Sequence, residues 1–145
     1  MPIAEVVAAA VIAGIGMAVA TEAGYRLGIV RGNLLRVDGE FALNRLGVKA
    51  DLSRAYAFGI AVHLVTSAVF GAFLYAISEI ADVDPSAFKV VAPYVFVLWL
   101  AMLFSALPVA GQGILGRKLG DSIWLEQLVL HVIFFFGLWG MLSLF

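Results

Sequence analysis

Long apolar runs separated by short polar connections set the plan of this chain. The stretch from Arg54 to Ile80 carries no formal charge between Arg54 and Glu79, and a single histidine sits near its middle. A bilayer core is crossed by about 20 apolar residues in a helix rising about 1.5 Å per residue. The stretch therefore predicts a membrane-spanning helix. Three further runs share its character, and the predicted spans cover about 3–24, 54–80, 86–110 and 121–145. The pattern predicts an all-α membrane protein: one domain over 1–145, with four transmembrane helices in an up-down-up-down bundle.

Small residues recur four apart within the first two spans. In the first they are Ala10, Gly14 and Ala18, with Gly16 and Ala20 beside them. In the second, Gly59, His63, Ser67 and Gly71 form one row. Such rows let helix backbones approach closely in lipid, so Gly14, Gly16, Gly59, Ser67 and Gly71 are the expected packing positions. Glu22 lies near the end of the first span, within reach of Arg26, and reads as a headgroup-level carboxylate.

The connection 25–53 is the longest polar one. Its glycines and its interleaved Leu34, Leu35, Val37, Phe41 and Leu46 predict a short amphipathic segment, broken at Gly39 and lying in the interface. Asp38, Glu40 and Asp51 offset much of its positive charge, which favours a solvated face over an anion-binding patch. Asp51 or Ser53 is expected to cap the second span. Asp84 and Pro85 read as the cap and first residue of the third, and Asp121 or Ser122 as the cap of the last. Pro93 is expected to kink the third span. The glycine-rich turn 111–121 matches no phosphate-binding spacing and reads as a tight turn at the membrane surface.

Composition sharpens this picture. The chain is 63% hydrophobic and 13% charged, with a net charge of −1 and a mean hydropathy of +1.06. Soluble domains carry about 25% charged residues. The charge balance gives no sign of a nucleic-acid partner. The absence of cysteine excludes disulfides, thiolate metal sites and cysteine nucleophiles. The first run lacks a basic leading segment, starts with Pro2 and Glu5, and is too long for a signal peptide. Arginine and lysine concentrate in the first and third connections, which the positive-inside rule places in the cytoplasm. The expected location is the cytoplasmic (inner) membrane, multi-pass, with both termini outside.

Two histidines are the best functional lead. His63 lies nine residues after Arg54 and His131 ten after Asp121. Both spans start at the same face, so each ring is about 14 Å deep at about 1.5 Å per residue. The two helices are diagonal in a square bundle. Ionisable residues inside a membrane are costly and mark functional sites. Three readings stay open. Each imidazole hydrogen-bonds a neighbouring helix; the pair ligates one b-type haem, with His63 and His131 as axial ligands; or Glu22, His63, Glu126 and His131 line a proton or small-solute pathway. No carboxylate stands at metal-ligand spacing from either histidine.

Several short motifs carry a resemblance. They are Asn33-Leu34-Leu35, His63 with Phe70-Gly71, the run Leu107 to Gly113, and His131 with Gly137. On these the chain resembles four-span prokaryotic membrane proteins of the YagU type over most of its length. The resemblance implies a broad association with acid tolerance and no defined chemistry. No nucleophile–base pair is placed for catalysis, so a non-enzymatic protein without a cofactor is expected. It would serve as an accessory or packing subunit of a larger membrane complex, or as a small homo-oligomer. The haem electron carrier and the pathway are the alternatives.

Overall fold

The computed structural model describes residues 1–49 and 51–145. Among the described residues the regular structure is helical. The helices are α1 (Ile3–Arg26), α2 (Leu34–Arg45), α3 (Leu52–Ala81), α4 (Phe88–Val109) and α5 (Ile123–Leu142). All but α2 are long and apolar enough to cross a membrane.

Local chemistry sets the ends. The Asn33 side chain accepts from the Arg36 N–H and starts α2. The Asp51 carboxylate accepts from the Arg54 N–H at 2.9 Å and starts α3. Gly47 adopts φ +69° just beyond α2, where the Val48 N–H returns to the Leu43 carbonyl. A left-handed residue there favours glycine because it lacks a Cβ. The expected cap at Asp84 is corrected: Asp84 accepts from the Ser86 N–H and hydroxyl in a turn, and α4 begins at Phe88 without a side-chain cap. Ser122 precedes α5 but spends its hydroxyl on the Glu126 carboxylate. Pro93 lies inside α4. Farther along, Met102–Ala106 forms a π-helical turn ahead of Pro108. Pro108 has no N–H for the carbonyl one turn back, and the widened turn accommodates that loss.

The connection 25–53 also departs from expectation. Gly39 does not break it; α2 runs straight through Gly39 as one helix. Gly39 is there because α2 lies against α3 at backbone contact. A Cβ on Gly39 would stand 1.7 Å from the Ala55 carbonyl oxygen, and one on Gly59 would stand 1.7 Å from that of Leu35.

α1 is the central helix, packed against α3 on one side and α5 on the other. Gly71 receives Val6, Val7 and Ala10; Gly14 receives Ser67; Gly137 receives Ala13. α4 packs on α5, where Phe88 meets Phe135 and Trp139 edge-on at 5.5 and 5.6 Å. These contacts build a core of Val6, Ala9, Ala10, Ala13, Leu74, Val91, Leu130 and Leu138. A second cluster joins Leu34 of α2 to Leu103, Leu107 and Ile123. Gly16 packs on no other helix within the chain: it is exposed, and a Cβ there would meet nothing within 4 Å. The outer faces are greasy, with Val65, Phe73, Val97, Phe104 and Phe136 all more than half exposed. Apolar surface on this scale suits a lipid surround.

α3 and α4 follow each other in the chain, yet among the described residues they do not pack along their lengths. The Tyr94 hydroxyl donates to the Phe70 carbonyl at 2.5 Å and ties them at one point. Elsewhere a seam stays open between them, and it is closed at one end by α2.

Candidate functional site

The seam holds a cavity of about 430 Å³. Every helix contributes to its wall. α1 supplies Met17; α2 supplies Asp38 and Phe41; α3 supplies His63, Thr66, Ser67 and Phe70. The π-helical turn of α4 supplies Met102, Ser105 and Ala106, and α5 supplies His131 and Phe134. Widened turns of this kind are frequent at functional sites.

The glycine contact between α2 and α3 positions Asp38. Gly39 and Gly59 let the two backbones touch, and Asp38, next along α2, meets the seam. Among the described residues no lysine or arginine pairs with its carboxylate. Burial alone pushes its pKa up to about 6, because a charged carboxylate loses hydration there.

The two imidazoles are held differently. His63 Nε2 faces the Gly14 carbonyl at 3.0 Å, and Ser67, one turn on, donates its hydroxyl to the His63 carbonyl. His131 is buried, with Nδ1 at 2.8 Å from the Gln127 carbonyl one turn earlier. A carbonyl can only accept, so each of these nitrogens carries its hydrogen. In the neutral rings Nδ1 of His63 and Nε2 of His131 then keep their lone pairs. Ligation of a haem iron through His63 Nε2 would mean giving up the Gly14 contact.

A second, wider hollow of about 680 Å³ lies on the other side of His63, between α1 and α3. Glu22, Arg26 and Tyr56 line it with His63. Glu22 is paired with Arg26 at 2.6 Å, and its other oxygen accepts from the Asn33 amide, which also donates to Tyr56. His63 therefore stands in the wall between two hollows. Glu126 belongs to neither. It accepts from the Arg31 and Gly32 N–H groups and from Ser122, fastening the start of α2's approach to α5. Of the four residues expected along a pathway, the structure brings His63 and His131 to one cavity, puts Glu22 beside His63 in the second, and gives Glu126 a bracing position.

Two polar residues escaped the sequence reading. Asp38 read as part of a solvated charge balance. It lies four residues after Leu34 and three before Phe41, so a carboxylate on the apolar side of α2 was the available signal. Gln127 is fully buried one turn before His131, and its side-chain amide makes no hydrogen bond among the described residues. The chain matches no known family model, no curated protein and no solved structure.

Proposed function

We propose that this is a non-enzymatic, multi-pass protein of the cytoplasmic membrane whose seam cavity is a proton or small-solute pathway. The observation that carries the reading is the convergence of Asp38, His63 and His131, from three helices, on one cavity. Carboxyl and imidazole groups, which can both donate and accept protons, set among apolar helices, are the usual makings of such a path. The topology in this reading is up-down-up-down. Its support is register: Gly71 meets Ala10 while Ser67 meets Gly14, so α1 and α3 run oppositely. Phe88 meets Trp139 while Trp99 bonds the Trp124 carbonyl, so α4 and α5 do too. The lysine and arginine bias puts α2 and the 111–121 turn at the cytoplasmic interface, with α2 closing the inner end of the seam.

A purely structural subunit or homo-oligomer is the weaker reading. The small-residue rows that suggested it are used inside the chain, at Gly14, Ser67 and Gly71. The test uses proteoliposomes loaded with a pH-sensitive dye and given a proton gradient. Wild-type protein is expected to speed equilibration over empty vesicles, and His63→Ala and His131→Ala to slow it several-fold. Rates indifferent to both substitutions would remove the pathway.

A further inference from the structure

We infer that the seam cavity binds an organic monocation with an aromatic or branched apolar body, held by the Asp38 carboxylate and the surrounding phenyl rings. The inference rests on the reading that this cavity takes up a solute, and it adds the solute's chemistry.

Four observations lead to it. The volume, about 430 Å³, lies within the range of small-molecule sites, about 300–1,000 Å³. Three phenylalanines from three helices, Phe41, Phe70 and Phe134, share the wall with Asp38; one face of Phe41 already carries the Arg45 guanidinium at 5.2 Å, so Phe70 and Phe134 are the open rings. Ring faces carry negative electrostatic potential and attract cations, most strongly where water is scarce. Among the described residues no lysine or arginine lines the cavity or pairs with the carboxylate, so the one formal charge on the wall favours a cation over an anion. The polar remainder, Thr66, Ser67 and Ser105, consists of hydroxyls, which accept as readily as they donate. An acyl chain would fill the apolar part but leave the half-buried Asp38 carboxylate unanswered. A hard metal cation would want several oxygens at once; Asp38 is the one carboxylate on this wall, and among the described residues no three acidic or histidine side chains stand close enough to hold one ion.

Binding of the cation and of a proton at Asp38 exclude each other in this arrangement. A neutral carboxyl offers no charge to the ligand. The titratable groups that face Asp38 across the cavity are His63 from α3 and His131 from α5; α1 and α4 present none. Protonating either imidazole would also repel a cation, so acid weakens binding by both routes.

Equilibrium dialysis of the full chain in detergent tests this with tetraphenylphosphonium, and with tetraphenylborate as the same shape of opposite charge. Wild-type protein at pH 8 is expected to bind the phosphonium saturably. Asp38→Asn is expected to weaken it at least tenfold and Asp38→Glu to retain it. Lowering the pH to 5 is expected to weaken it in the wild type, while the residual pH effect in Asp38→Asn reports the two imidazoles. Tetraphenylborate is expected to show no saturable binding. Equal phosphonium binding by wild type and Asp38→Asn overturns the proposal, as does borate binding that matches the phosphonium. Absence of any phosphonium binding also overturns it. If the histidine-dependent proton flux persists in that case, only the ligand chemistry is wrong and the pathway stands.

Discussion

Gly59→Leu is expected to undock α2 and to leave the protein unable to close its seam. Even Gly39→Ala or Gly59→Ala should be costly. A Cβ at either position falls 1.7 Å from a backbone oxygen of the facing helix. No rotamer change can relieve a clash with backbone, so the helices must separate by more than an ångström. Forcing atoms into a packed contact costs typically about 1–3 kcal/mol. The opposing gain from replacing a mid-helix glycine with alanine is about 1 kcal/mol. At a contact with backbone the clash lies at the upper end of that range, and each alanine variant should lose up to about 2 kcal/mol net. Thermal unfolding in detergent checks the magnitude. Limited proteolysis in the connections flanking α2 checks the mechanism, since those segments become accessible only if α2 leaves α3. Gly16→Leu is the control. Gly16 is exposed with nothing within 4 Å of a Cβ, so this variant should lose no stability and gain up to about 1 kcal/mol from helix propensity. Gly39 and Gly59 variants that match this control would mean that α2 does not dock as described.

Asp38→Asn is expected to stabilise the fold at neutral and alkaline pH while weakening function. The Asp38 carboxyl stands near pKa 6 in the fold against an ordinary value of 3.8. The folded state thus holds its proton more tightly than the unfolded chain does. Above pH 6 the group is charged in both states, and its burial costs stability in full. As the pH falls from 6 towards 4 the folded state takes up the proton first and the cost disappears. A shift of about two units corresponds to about 3 kcal/mol at most, at 1.36 kcal/mol per unit. The stability gained by Asp38→Asn should approach this bound at pH 8 and vanish near pH 4. The comparison must be a difference between variants, because other carboxylates pull the opposite way. Asp84, for instance, is held below its usual range by the Ser86 N–H and hydroxyl, and loses that stabilisation on acidification. A gain independent of pH would place the Asp38 side chain in water.

Most of the fold was legible because its signal is coarse. Length and apolarity predict four spanning-length helices, and the four are found within about two residues of the expected bounds at most ends. The rows through Gly14, Ser67 and Gly71 lie at the α1–α3 contact, since small residues four apart line one side of a helix. Gly16 makes no such contact within the chain. It shares the composition of the row but lies two residues from Gly14, about 200° around the helix at about 100° per residue, on the outer side. The π-helical turn was hidden because Pro108 removes one hydrogen bond without saying how the backbone will respond. Asp38 was hidden for a deeper reason. Its environment is made by α3, α4 and α5, and its own neighbours Arg36 and Glu40 form an exposed ion pair that resembles a solvated face. Only the docking of Gly39 on Gly59, twenty residues apart in the chain, turns that charge inward.

Solute access to the seam is the claim on which the account stands, and the cysteine-free chain allows it to be measured directly. Single cysteines at Thr66 and Ser105, on the cavity wall, and at Val65 and Val97, on the outer surface, would be treated in vesicles with a small, charged, membrane-impermeant thiol reagent. Thr66→Cys and Ser105→Cys are expected to react, and Val65→Cys and Val97→Cys to stay protected by lipid. Reaction at all four sites, or protection at all four, would contradict that claim.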